Sequence, residues 1–168
     1  MGEKGRTIGR NMKIRPERPQ DEQEIRKLLV DAFGGTAEAD LTNALRADGA
    51  IVQALVAEEA GEIVGFLALS RLEAPFPACA LAPLAVAPLW QRQGIGSALV
   101  RAAACDAIFV LGEPEFYTRL GFSVERAAGY VCAYAGPYFM VKAGEHIPPT
   151  GRIFYPAAFS AAGSSDHP

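Results

Sequence analysis

The sequence predicts an α/β fold of the mixed (α+β) kind, a central sheet of six to seven strands with helices on both faces. Three observations predict it. Apolar residues alternate between strand-like and helical spacing in the order β-α-α-β-β-β-α-β-α-β-β. Two β-type runs, IVQALVAEE and EIVGFLALSRL, are separated only by Ala60-Gly61, which marks an antiparallel hairpin. The apolar run ACALAPLAVAP is followed by a glycine loop, a helical segment and a further apolar run, DAIFVLG. That succession is a β-α-β crossover between parallel strands.

In order, MKIRPERP is a short strand ended by prolines, and Asp21 opens the first helix with Glu24 in capping-box spacing. Ile25, Leu28, Leu29, Ala32 and Phe33 form one apolar stripe, and Gly34-Gly35 stops it. A second helix over residues 37–47 turns Leu41, Ala44 and Leu45 inward and ends at Gly49. ACALAPLAVAP has the continuous apolarity of a strand buried on both faces. A helix over residues 95–104 follows the glycine loop; PEFYTRL is a short helix with Pro114 in its first turn and Gly121 at its C-cap position. YVCAYAGPYFMVKA and GRIFYPAAF supply the final strands. The domain spans residues 12–160, between a loose leader (1–11, with Met12 an alternative start) and a polar tail (161–168).

Composition excludes several classes of function. Half of the residues are hydrophobic and 21% charged, which argues against disorder. The net charge of −3, with no Lys or Arg run, removes the footprint of a nucleic-acid binder and is permissive of a cationic substrate such as an amine. No apolar run reaches the roughly 18 residues of a membrane helix, and the N-terminus lacks the apolar core of a secretory signal, so a cytoplasmic location is expected. Three widely spaced cysteines, Cys79, Cys105 and Cys132, read as reduced thiols. His146 and His167 have no neighbours at ligand spacing, so no metal site is expected.

The most informative stretch is PLWQRQGIGSALV, residues 88–100. A dinucleotide fingerprint needs a third glycine where Leu99 stands, and an acidic residue about 20 positions further on. A P-loop needs Lys after its last glycine, and Ser97 and Ala98 stand there instead. What remains is strand, Gln91-Arg92-Gln93-Gly94-Ile95-Gly96, then helix. Glycines there let successive N–H groups converge on an anion, and the helix start adds positive potential. A tight strand-to-helix turn is the alternative reading.

LAVAPLWQRQGIGSALV followed by VLGEPEFYTRLGF resembles the two hallmarks of the GNAT superfamily of N-acetyltransferases, and GEIVGFLALS resembles the strand before its loop strand. VLGEPEFYTRLGF with GRIFYPAAF resembles a bacterial subgroup of predicted acetyltransferases. The resemblance covers residues 12–160 and implies the GNAT fold with a β-α-β acyl-CoA site. It implies acetyl-CoA as cosubstrate and an acetyl group passed by direct attack to a primary amine of a small molecule or peptide. The amine acceptor is unidentified, and the assembly a monomer or homodimer. The alternative is a catalytically weak or inactive acyl-CoA-binding sensor or regulatory protein.

By the same resemblance, Gly94, Ile95 and Gly96, flanked by Gln91, Arg92, Gln93 and Ser97, would hold the pyrophosphate, and the strand residues Leu84, Ala85 and Val86 would pair with the pantetheine arm. Leu84 and Val86 also fit simple core packing. Tyr117 matches the general acid that protonates the departing thiolate, with a buried core aromatic as its alternative. Many family members carry a glutamate on the strand before the loop, yet CALAPLAVAP has no acid. Glu38 at the start of the second helix is the favoured base, with Glu73 behind it, Ser70 as a positioning residue, and a solvated helix-start carboxylate as Glu38's alternative. Ten helical residues after Gly96, roughly 15 Å, give a shorter crossover than the family's usual one. Cys79 and Cys105 lack an adjacent His base, which sets aside a covalent acyl-enzyme route.

Overall fold

Strand β1 (Lys13–Pro16) opens the chain, followed by helices α1 (Glu22–Phe33) and α2 (Ala37–Ala47). Strands β2 (Ile51–Glu59), β3 (Glu62–Arg71) and β4 (Cys79–Val86) come next, then α3 (Ile95–Ala102), β5 (Ala107–Leu111), α4 (Pro114–Thr118) and α5 (Val124–Ala127). Short strands β6 (Tyr130–Val131) and β8 (Gly151–Arg152) enclose β7 (Phe139–Ala143), and α6 (Ala157–Ala161) follows. The structure is a computed structural model and describes residues 12–161; the expected leader lies outside the described residues, as does the tail beyond Ala161.

Six strands form one mixed sheet in the order β1-β2-β3-β4-β5-β7, with β4–β5 its parallel pair, while β6 and β8 form a separate two-stranded ribbon. The β2–β3 hairpin turns on Ala60 and Gly61, both at positive φ (51° and 80°), as a two-residue turn of matching twist requires. Alternating residues serve opposite faces. Leu55, Ala57, Leu67, Leu69 and Leu81 pack with α3 and α4, while Val56, Phe66, Ala68 and Ala85 pack with α1. A third cluster joins Phe109 and Phe139 to Tyr130, Ile147 and Ile153 under the C-terminal ribbon.

Two features of the sheet position the site. The parallel strands β4 and β5 are in register only at Cys79↔Ile108 and Ala80↔Phe109, and from there they diverge toward their C-terminal ends. A register shift between Leu81 and Leu84 on β4, relative to β3, accompanies that divergence. Gly65 of β3 then admits α3 closely: a Cβ there would lie 2.9 Å from both Ile95 Cγ2 and Leu99 Cδ1.

Several expectations are corrected. Asp21 does not cap α1; its carboxylate takes both Nη atoms of Arg15 (2.7 and 3.1 Å) and the Arg18 N–H (2.7 Å). Glu24 instead accepts the N–H of Ile63 at 2.7 Å. A guanidinium fork is a stronger partner than a lone amide, so the tertiary contact wins over the local box. Ala44 is exposed, while Thr42 is buried with its hydroxyl donating to the Glu38 carbonyl at 2.8 Å. Phe33, at the end of the α1 stripe, is 44% exposed and lies outside the packed face. α3 ends at Ala102, two residues early, and Ala103 turns extended (φ −68°, ψ 135°) to reach β5. α5 was unread in the sequence, and GRIFYPAAF divides into β8 and α6.

Candidate active site

Where β4 ends, the chain makes one tight turn at Pro88–Trp90 and then two left-handed residues, Arg92 (φ 66°) and Gly94 (φ 84°). Gly94 takes that conformation without the penalty a Cβ brings, and α3 starts immediately. The first intrahelical bond runs from the Ala98 N–H to the Gly94 carbonyl at 3.0 Å. The amides of Gly94, Ile95, Gly96 and Ser97 therefore have no acceptor within the helix and point outward from its positive end.

These residues border an open groove of about 380 Å³. Leu84 and Val86 of β4 form one wall, Phe116 of α4 and Trp90 another, and Gln91, Arg92, Gly94, Ile95, Gly96 and Ser97 the loop side. A Cβ on Gly96 would stand 3.6 Å from Phe116 Cζ and 3.7 Å from Val86 Cγ2, inside the groove. The groove thus joins a bare helix start to the diverging ends of two parallel strands, the usual ligand position in α/β sheets.

Most of the expected residues converge here, with differences in how each participates. Leu84 and Val86 face the groove, whereas the Ala85 side chain is buried on the opposite face in the α1 cluster. Ile95 is buried against the sheet, so only its backbone serves the groove. Gln91 turns its side-chain amide back to the Val86 carbonyl (3.1 Å), bracing the loop against β4. Gln93 is half-buried and does not border the groove. Trp90 and Phe116 border the groove without having been singled out by the sequence, since an apolar residue beside a loop carries no local sign of which way it faces.

Tyr117, next to Phe116, is 8% exposed and, unlike Phe116, does not border the groove. Its ring lies edge-on to Phe116 (centroids 4.8 Å apart) and to Phe122 (5.4 Å), over the bare Cα of Gly112. Burial pushes its phenol up to about 12, so it is fully protonated at neutral pH. Glu38 lies half-buried in the first turn of α2, which packs on α1 and α6. The structure does not bring Glu38 to the groove wall. Ser70 is buried on β3 and its Oγ lacks a hydrogen-bond partner among the described residues, while Glu73 exchanges backbone hydrogen bonds with Phe154.

A mixed sheet with one splayed parallel pair, and a glycine loop that opens a helix at the splay, defines an α/β protein with a groove at the diverging strand ends. The profile of the acetyltransferase (GNAT) domain matches residues 50–124. The Escherichia coli (strain K12) protein named uncharacterized N-acetyltransferase YhbS is 32% identical over 136 residues, spanning 74% of this chain and 81% of that one. A Brucella melitensis GNAT family acetyltransferase, solved in complex with acetyl-CoA, superposes with a TM-score of 0.75 at 32% identity over 90% of this chain and 99% of that one. The E. coli YhbS structure, in complex with CoA, gives 0.74 at 28% identity over 89% and 92%. The chain belongs to the GNAT family of acetyltransferases. Among the described residues no helix is long and apolar enough to cross a membrane, and no cluster of three potential metal ligands occurs.

Proposed function

We propose that this protein binds acetyl-CoA in the groove between β4 and β5 and passes the acetyl group to a primary amine of a small molecule or peptide by direct attack. The observation that carries the reading is the run of amides from Gly94 to Ser97, without a backbone acceptor among the described residues, at the mouth of the β4–β5 divergence. Those amides suit the pyrophosphate, with the Arg92 guanidinium beside them. Among the described residues the β4 edge facing β5 has no strand partner beyond Ala80, which leaves its main chain from Leu84 to Val86 available to the pantetheine arm. Complexes of two relatives with acetyl-CoA and CoA support this assignment.

In this reading the amine nitrogen attacks the thioester carbonyl, a main-chain N–H of β4 stabilises the developing oxyanion, and the C–S bond breaks. Tyr117 donates its phenolic hydrogen to the departing sulfur. The ammonium proton must leave before attack, since an alkyl amine is protonated at neutral pH. Glu38 is the proposed acceptor, through water, because it stands off the groove wall. Direct attack fits the groove, whose lining contains neither Cys79 nor Cys105.

Titration calorimetry with acetyl-CoA tests the site. The wild type should bind, and Gly96→Val, whose branches fill the groove between Phe116 and Val86, should lose at least tenfold in affinity while its circular dichroism stays unchanged. Equal affinity in the two proteins would overturn the loop assignment. Thiol release on a panel of polyamines, amino acids and peptide N-termini tests transfer; binding without release on every amine favours the sensor reading.

A further inference from the structure

Away from the groove, the fold brings together two thiols that are 26 residues apart in sequence: Cys105 Sγ lies 2.9 Å from Cys79 Sγ in a hydrogen-bond contact. Cys79 is the first residue of β4, buried, and paired with Ile108 where the parallel strands still meet. Cys105 is half-buried in the extended segment that leads from α3 into β5. Neither lines the groove, and the third cysteine, Cys132, lies elsewhere, beside Tyr134 and Tyr155 under the C-terminal ribbon. A hydrophobic contact at this position needs no sulfur on either side. Two sulfurs within reach of one another, one open to solvent, form a dithiol.

We propose that Cys79 and Cys105 are an oxidative modification site, a dithiol that a hydroperoxide converts reversibly to a disulfide. The Cys105 sulfur, as thiolate, attacks the peroxide; the O–O bond breaks, water leaves, and Cys105 becomes a sulfenic acid. The Cys79 sulfur then attacks the Cys105 sulfur, the S–O bond breaks, and the hydroxide departs as water with the Cys79 proton. In sum two thiols and one hydrogen peroxide give one disulfide and two waters; the peroxide takes the two electrons. The division of roles follows from accessibility. Cys79 is buried, with its thiol pushed up to about 12 by burial first and by Cys105 second, so it resolves and does not initiate. Closing the contact to a bond near 2.05 Å asks for a side-chain movement of less than about 1 Å.

The consequence lies in the sheet. The bond closes the loop of residues 79–105, which contains β4, the glycine loop and α3, and it ties the closed end of the β4–β5 pair. Constraining a loop of that length raises the melting temperature by about 5–10 °C in a chain of this size.

The test uses the full chain, reduced, desalted and treated with stoichiometric hydrogen peroxide. Titratable thiols should fall from three to one, the intact mass should drop by two hydrogens, and a non-reducing peptide map should join the peptides of Cys79 and Cys105. Dithiothreitol should restore all three thiols. Cys132→Ser should still form the bond, and Cys105→Ser should not. Should Cys105→Ser fail to fold, alkylation of the oxidised wild type decides instead, with label on Cys132 alone as the expected result. Persistence of three thiols, pairing through Cys132, or a covalent dimer would each overturn the site. An oxidised form melting no higher than the reduced one would overturn the clamp.

Discussion

In the proposed reaction Tyr117 serves packing and chemistry at one position. Its ring is held by Phe116, Phe122 and the absent side chain of Gly112, so its direction is set by the core and not by the helix surface. The same burial raises its pKa to about 12, which keeps the phenol protonated through the neutral range. Tyr117→Phe should lower kcat on any accepted amine by about 10² or more while leaving acetyl-CoA affinity within a few-fold, since packing is retained. The pH dependence has a definite sign. The folded value lies above the ordinary value near 10, so stability from this group is complete below about pH 10 and is lost as pH rises toward 12. Alkaline unfolding of Tyr117→Phe, followed by circular dichroism, should accordingly be shallower than that of the wild type between pH 10 and 12. An unchanged kcat in the variant would remove Tyr117 from the chemistry.

At the scale of elements, the decisive contact is α3 against β3. The helix is only eight residues long, about 12 Å, too short for its own propensity to hold it in water. Its stability comes from Ile95, Leu99 and Val100, buried on the sheet, and from their approach to the bare backbone of Gly65. A side chain at that position collides with Ile95 and Leu99 at 2.9 Å. Gly65→Val should therefore destabilise the fold by about 1–3 kcal/mol and displace the first turn of α3, weakening acetyl-CoA binding although the residue lies outside the groove. Urea unfolding and calorimetry on the same variant separate the two effects. Affinity partly restored in the pair Gly65→Val with Ile95→Ala, which removes one of the two colliding side chains, would support displacement as the cause. The crossover was readable as short from its ten available residues, but its end at Ala102 was not. Ala103 and Ala104 are good helix formers, and the chain leaves the helix there because it must reach the start of β5, with the Ala104 N–H taken by Gln53 Oε1 at 2.9 Å.

Across the whole molecule, Arg15 binds the outer strands to the first helix. It grips Asp21 with two bonds and donates to Glu58 Oε2 at 3.1 Å, joining β1, the turn before α1, and β2 in one nearly buried network. Chiefly through the Arg15 hydrogen bond, the Asp21 carboxyl is held below its ordinary value of 3.8, against the opposing effect of burial. Stability from this group is thus present above about pH 4 and lost as pH falls below it. Asp21→Asn removes one of the two carboxylates that hold the Arg15 guanidinium and should destabilise by about 2–4 kcal/mol at pH 7, with the difference from wild type narrowing at pH 3; urea midpoints at the two pH values check it.

The division between what sequence and tertiary structure decide follows from the range of the forces involved. Strand and helix order, the Ala60-Gly61 hairpin, the apolar stripe of α1 and the glycine loop opening α3 were all legible, because periodicity and turn chemistry act over a few residues. The loop also carried the family resemblance. The partner of Asp21, the side of β4 on which Ala85 lies, the distance of Glu38 from the groove and the meeting of Cys79 with Cys105 were not legible. Each depends on strand register and on loops that close over tens of residues. The sequence by itself determined the elements and the anion-ready turn; the tertiary structure alone decided the splay of β4 from β5, since two parallel strands reveal how far they stay paired only once the crossover helix has docked on the face of the sheet.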